Sequence, residues 1–248
     1  MLTRTPQNAS IAGDVAGFTL IEMIVAMLCG IIITGALFAI LEVSLRQTQR
    51  TTGRVQATQL GRTAMTRMID ELHSGCIAKE FKPIQEKSSE NELIFISGTG
   101  EEAVLTKAYK HKISFSSGEG LLTEETWASS GGEWPNFEFK SAPTKTRIGE
   151  FISQSGSTPI FQYYNYAEKS GSSSTSAVST LSTTPLEAKS GTGLTGAHAE
   201  ETAGVLITFT AGAPEGKQYK PTVELNDQVT LAFSAPSAET PIKAAPCE

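Results

Sequence analysis

Glu22 is the side chain in the least ordinary setting of this chain. It is the one charged residue in an apolar run, residues 18–41, FTLIEMIVAMLCGIIITGALFAIL. A carboxylate inside a membrane-length segment costs about 2.5–3.5 kcal/mol on insertion scales, so such a group is retained for a task, usually with a cationic partner. Gly17 stands at the boundary between a polar stretch and this run, Phe18 follows it, and Glu22 comes four residues later. A boundary glycine, an aromatic residue and a lone carboxylate at fixed spacing coincide rarely enough to form a specific signal.

The other residues that could do chemistry form no such pattern. His73, His111 and His198 are far apart and fit no H-E-x-x-H spacing, so the sequence predicts no metal site. Glu101-Glu102, Glu124-Glu125 and Glu200-Glu201 are adjacent pairs. On strands such neighbours point to opposite faces, which reads as solvating charge rather than paired acid–base work. Residues 191–196, GTGLTG, match G-x-G-x-x-G but lack the preceding strand and following helix of a dinucleotide site. There is no G-x-S-x-G elbow and no P-loop. The expectation is a protein that is not an enzyme and needs no cofactor. Of the three cysteines, Cys29 lies in the apolar run, Cys76 near the end of the helical region and Cys247 next to last. A Cys76–Cys247 disulfide is chemically permitted if the head lies outside the cytoplasm, and two unpaired thiols are the other reading.

These residues must be carried by two kinds of element. The run 18–41 is long enough to cross a hydrocarbon core of about 30 Å as a helix. No proline interrupts the chain between Pro6 and Pro83, and Leu41, Leu45, Val55, Met65, Met68, Ile69 and Leu72 recur at helical steps. A single helix from Phe18 to Gly75 would be about 87 Å long, with a transmembrane half (18–41) and an amphipathic half (42–78). Gly53 and Gly61 would weaken it by roughly 1 kcal/mol each relative to Ala. Arg46, Arg50 and Arg54 share one face; they read either as a headgroup-facing stripe or as a contact for acidic neighbours.

Past Pro83 the pattern changes to short alternating runs: Leu93 to Ser97, Ile113 and Phe115, Phe137 and Phe139, Ile160 to Tyr166, Val205 to Thr210, and Gln228 to Ser234. Gly98-Thr99-Gly100, Gly131-Gly132 and Asn226-Asp227 read as breakers between them. Residues 169–200 are rich in Ser, Thr and Gly and read as a long surface loop, and residues 235–248 as a polar tail. The fold expectation is α+β: a long N-terminal helix packed on an antiparallel β-rich head spanning 79–234.

Charge is unevenly placed. The chain carries −6 overall; residues 42–80 hold +2 and residues 81–248 hold −7. An acidic head argues against nucleic acid as its partner, because binding there rests on phosphate neutralisation. Arg4 and Asp14 cancel in residues 1–17, so the positive-inside rule does not orient the span.

The G/FTLIE segment resembles the N-terminal cleavage and methylation motif of type IV prepilins and type II secretion pseudopilins. The likeness continues along residues 44–78, which look like minor pilins and pseudopilins of the J/W kind. The resemblance implies a pilin-like fold and a leader, residues 1–17, cut between Gly17 and Phe18 by prepilin peptidase, which also methylates the new Phe18 amine. It implies that Glu22 pairs with the N-terminal ammonium of an adjacent pilin during filament assembly. It further implies a single-pass protein of the cytoplasmic membrane, with its N-terminus cytoplasmic and its head outside, which joins a filament. Such a subunit serves a type IV pilus or a type II secretion-like machine; the alternative is a pilin-type anchor displaying a binding head that captures an adhesion target, cargo or DNA. The chemistry is reasonable, since cleavage converts a neutral amide into a cation where the dielectric is low and a charge pair is strong.

Overall fold

The computed structural model describes residues 17–75, 84–101, 104–133, 136–167, 180–214 and 221–231. Cys76, Cys247, most of the leader 1–17 and the tail 235–248 lie outside the described residues. The chain divides into two compact units, residues 1–48 and 49–248, and helix α1, Leu20–His73, contributes to both.

In the first unit every described residue is exposed. That includes large apolar side chains such as Ile31 at 73 % and Phe38 at 67 %. The most apolar stretch of α1 has a mean hydropathy of 2.7, and the helix is long and apolar enough to cross a membrane. Exposed apolar side chains over several turns need a nonaqueous environment or protein neighbours.

The second unit holds the rest of α1 and two antiparallel sheets, so the α+β expectation holds. One sheet has the order β1-β2-β3-β6, built from Glu92–Glu101, Val104–Ser116, Leu121–Ala128 and Thr144–Gly149. Along the chain between β3 and β6, a separate small hairpin is formed by β4, Gly131–Glu133, and β5, Asn136–Glu138. The other sheet centres on β9, Gly204–Gly212. One side of β9 pairs with β10, Thr222–Thr230; the other pairs with β7, Ile152–Ser153, and then β8, Phe161–Tyr164. The core joins Met65, Met68 and Leu72 of α1 to Leu93, Phe95, Ile113 and Leu122 from one sheet and to Phe161, Ile207 and Phe209 from the other.

The buried stripe of α1 differs from the one the apolar spacing predicts. Leu45 and Val55 are exposed, at 55 % and 49 %, while Gly53, Ala57, Gly61 and Ala64 are buried. Backbone proximity explains this. A Cβ added at Gly61 would lie 2.3 Å from Leu225 Cδ1 and 2.7 Å from Ala211 Cβ. The Cβ of Ala64 lies 3.0 Å from where one would stand on Gly149. The helix therefore approaches the sheets through small residues before its large ones take over at Met65. A hydrophobicity count passes over such a face.

All three predicted breakers lie within strands. Gly98, Thr99 and Gly100 belong to β1, where the register with β2 shifts between Thr99 and Gly100, so they form an irregularity and not an end. Gly131 and Gly132 are two residues of β4. Asn226 and Asp227 pair with Thr208 and Ile207 inside β10. As an edge strand, β10 keeps their side chains in solvent, where polar residues cost little.

The second half of the predicted 169–200 loop is packed structure. Leu194 N–H donates to Ser88 C=O at 2.7 Å, Glu90 N–H to Ala188 C=O at 2.9 Å, and Leu186 N–H to Tyr163 C=O at 2.8 Å. A Cβ on Gly193 would stand 2.5 Å from the Lys87 backbone, and this glycine has φ +67°, so residue and conformation both require Gly. Thr195 then caps a short helix, α2, Gly196–Glu201, accepting from His198 N–H at 3.3 Å. Composition concealed this segment because its anchors are backbone hydrogen bonds and small side chains.

Candidate processing and assembly site

Gly17, Phe18 and Thr19 lead into α1. Phe18 is 82 % exposed. Among the described residues no atom lies within 4 Å of the Cβ position of Gly17, so none of them forbids a larger side chain there. A requirement for glycine at this position would come from whatever binds the bond between residues 17 and 18.

Thr19 and Glu22 form a capping box. Thr19 N–H donates to Glu22 Oε2 at 3.0 Å, and the Thr19 hydroxyl donates to the same oxygen at 3.0 Å. In return Glu22 N–H reaches Thr19 Oγ1 at 3.4 Å. The first turn closes through Met23 N–H to Thr19 C=O at 3.3 Å. The T-x-x-E spacing is the sequence signature of this motif, and it was present in TLIE at residues 19–22. A carboxylate at a helix N-terminus is also favoured by the helix dipole. Glu22 thus has a function inside its own chain, in addition to the intermolecular one that the prepilin resemblance implies. Only Oε2 is used; Glu22 Oε1 accepts no hydrogen bond among the described residues, so the group can take a second partner.

The structure also assembles a polar cluster that sequence spacing did not reveal. His111 of β2, Glu124 of β3 and Glu71 of α1 converge, with ligand atoms all within 4.8 Å of one another. His111 Nδ1 is 2.8 Å from Glu124 Oε1, and its Nε2 is 2.8 Å from Ser97 Oγ. Arg67 Nη2 donates to Glu124 Oε2 at 2.9 Å. The imidazole stacks on Phe95 with ring centroids 4.8 Å apart. Glu124 is 2 % exposed, which corrects the reading of the Glu124-Glu125 pair as solvating charge: Glu125 does pair with Lys145 near the surface, and Glu124 turns inward. The hydrogen bond from His111 is the main cause that holds the Glu124 carboxyl below its ordinary range, against a burial effect that would raise it. The remaining histidines lie apart from this cluster, His73 at the end of α1 and His198 in α2.

Comparison with known families gives one match, the prokaryotic N-terminal methylation motif, over residues 14–38. The chain carries the prepilin-type N-terminus. No curated protein and no solved structure matches it. The prepilin-type match covers Gly17, Phe18, Thr19 and Glu22, the residues that form the capped entry to α1, and most of the exposed apolar stretch that follows. It supports a pilin- or pseudopilin-like substrate of prepilin peptidase with a membrane-compatible helix.

Proposed function

We propose that this protein is a minor pilin or pseudopilin, a structural subunit of a type IV pilus or type II secretion-like filament. The observation that carries the reading is the prepilin-type N-terminus joined to an apolar helix stretch that is exposed throughout among the described residues. The leader, residues 1–17, is cut from Phe18 by prepilin peptidase, and the Phe18 amine is methylated and keeps its positive charge. Glu22, held at one oxygen by Thr19, offers its other oxygen to the ammonium of a neighbouring subunit. The span sits in the cytoplasmic membrane with the head outside until the subunit enters the filament. The likeness of residues 44–78 to J/W-type minor pilins supports a minor rather than a major subunit, and the head acts by contact with protein, not by catalysis.

The decisive experiment is coexpression with a prepilin peptidase, followed by mass measurement of the N-terminus. The expected product lacks residues 1–17 and carries one methyl group on Phe18. A bulky substitution at Gly17 should abolish cleavage without destabilising the chain, since the position is open. An intact leader in the wild-type protein under these conditions would refute the proposal. Glu22→Val should still insert in the membrane and fail to join filaments; normal assembly of that variant would remove the pairing role.

A further inference from the structure

We propose that Glu71, His111 and Glu124 form a site for a single divalent transition-metal ion of the zinc class, seated between α1 and strands β2 and β3. The inference is independent of the filament reading, because it rests on the second unit alone, on Glu71 of α1 with His111 and Glu124 of the first sheet. Three donors of the right chemistry converge: one imidazole nitrogen and two carboxylate oxygens, a set that zinc and its neighbours in the transition series accept. Zinc lies at about 2.0–2.2 Å from such donors, so tetrahedral ligand atoms stand about 3.3 Å apart. The present separations from His111 Nδ1, 2.8 Å to Glu124 and 3.8 Å to Glu71, straddle that value. Small side-chain shifts would equalise them.

The surroundings resemble the outer shell of a metal site. Ligating histidines usually donate their second ring N–H to a fixed acceptor, which orients the ring and leaves the other nitrogen for the ion. Ser97 Oγ stands at that position beside Nε2, and the Phe95 ring fixes the imidazole plane from one side. Arg67 occupies the outer oxygen of Glu124 and leaves Oε1 directed at His111. Thr126 Oγ1 contacts the same Oε1 at 3.5 Å. Glu71 is the half-open member, with a side chain 30 % exposed, and gives the ion its path in and a place for a water ligand.

An ion at Nδ1 needs a neutral imidazole whose remaining proton stands on Nε2 toward Ser97 Oγ, so a proton on Nδ1 must leave or move to Nε2 as the ion enters. The ion would fasten the last turns of α1 to the centre of the first sheet, at the end of the helix remote from the capped N-terminus.

The test uses the full-length, untagged chain in detergent, stripped with a chelator and titrated with cobalt(II) and then zinc(II). The expected result is one equivalent of cobalt, an intense visible band of a four- or five-coordinate site, its displacement by zinc, and a rise in Tm with either ion. The near-ultraviolet band of a thiolate–cobalt bond should be absent, because no cysteine takes part. Glu71→Gln keeps its neighbours packed and should match the wild-type Tm without metal, yet bind on the order of a hundredfold more weakly; Ser97→Ala should lose about tenfold. Absence of the band and of the Tm rise in the wild-type chain overturns the proposal. So does a thiolate band, or wild-type affinity in Glu71→Gln.

Discussion

At the scale of single residues, buried polar groups show what the head must keep neutral. Tyr163 is fully buried, and its hydroxyl donates to the carbonyls of Ser89 and Glu92 at 3.1 and 2.9 Å. Burial pushes its phenol well above the ordinary value of 10.0. A raised folded pKa means that the stabilisation is complete below the unfolded pKa and is lost as pH rises through the folded one. Unfolding free energy should therefore decline above about pH 10, by up to roughly 1.4 kcal/mol per pH unit from this group. Tyr163→Phe should cost about 1 kcal/mol at pH 8, where it removes a hydrogen-bond donor from two carbonyls. The deficit should narrow with alkalinity and reverse where the wild-type phenol is forced to ionise. Urea denaturation of both chains from pH 8 to 11.5 measures this, and a constant difference would count against it.

At the scale of elements, the close approach of α1 to its sheets governs tolerance. Gly61→Ala gains about 1 kcal/mol of helix propensity in principle. The new Cβ meets Ala211 Cβ at 2.7 Å, an atom fixed to the β9 backbone, as well as the more mobile tip of Leu225. Overpacking of this kind costs about 1–3 kcal/mol, so the net effect should be destabilising by about 1 kcal/mol, and Gly61→Leu more severe. Gly35→Ala, with no atom within 4 Å of its added Cβ, should leave the denaturation midpoint of the head unchanged. Gly193→Ala should exceed both glycine-to-alanine changes, since strain at φ +67° adds to the clash with Lys87.

These elements also show how much the sequence disclosed. The helix was legible because α1 lacks proline, and β1, β8 and β9 because they are compact apolar, aromatic or β-branched runs; β3 and β6 were not, since polar and charged residues fill much of both. Gly53 and Gly61 were read as weak points because their value lies in what approaches them, which no local count contains. The cluster of Glu71, His111 and Glu124 was invisible for the same reason: its members are brought together by the packing of α1 on β2 and β3. The capping box is legible in TLIE as a T-x-x-E spacing, in the same residue whose charge stands out in the apolar run.

At the scale of the whole molecule, Glu22 caps its own helix and, in the proposed filament, pairs with another subunit; the two tasks must be separated. Glu22→Val removes both, so failure of that variant cannot distinguish them. Glu22→Gln does. A glutamine at the third helical position retains the reciprocal bond to the Thr19 N–H, while the charge that would attract a neighbour's ammonium is gone. Its cost to the helix should be small, a few tenths of a kcal/mol from the dipole at most. If pairing sets assembly, Glu22→Gln should be cleaved and methylated like the wild type yet remain in the membrane fraction, as Glu22→Val should. Thr19→Val, which loses the hydroxyl's bonds but leaves the carboxylate charged, should be processed and should still enter filaments at a reduced level. Fractionating sheared filaments from membranes for the three variants, with N-terminal mass recorded for each, reads both tasks at once. Filaments from Glu22→Gln at wild-type abundance would assign the residue to the cap and leave subunit pairing to another group.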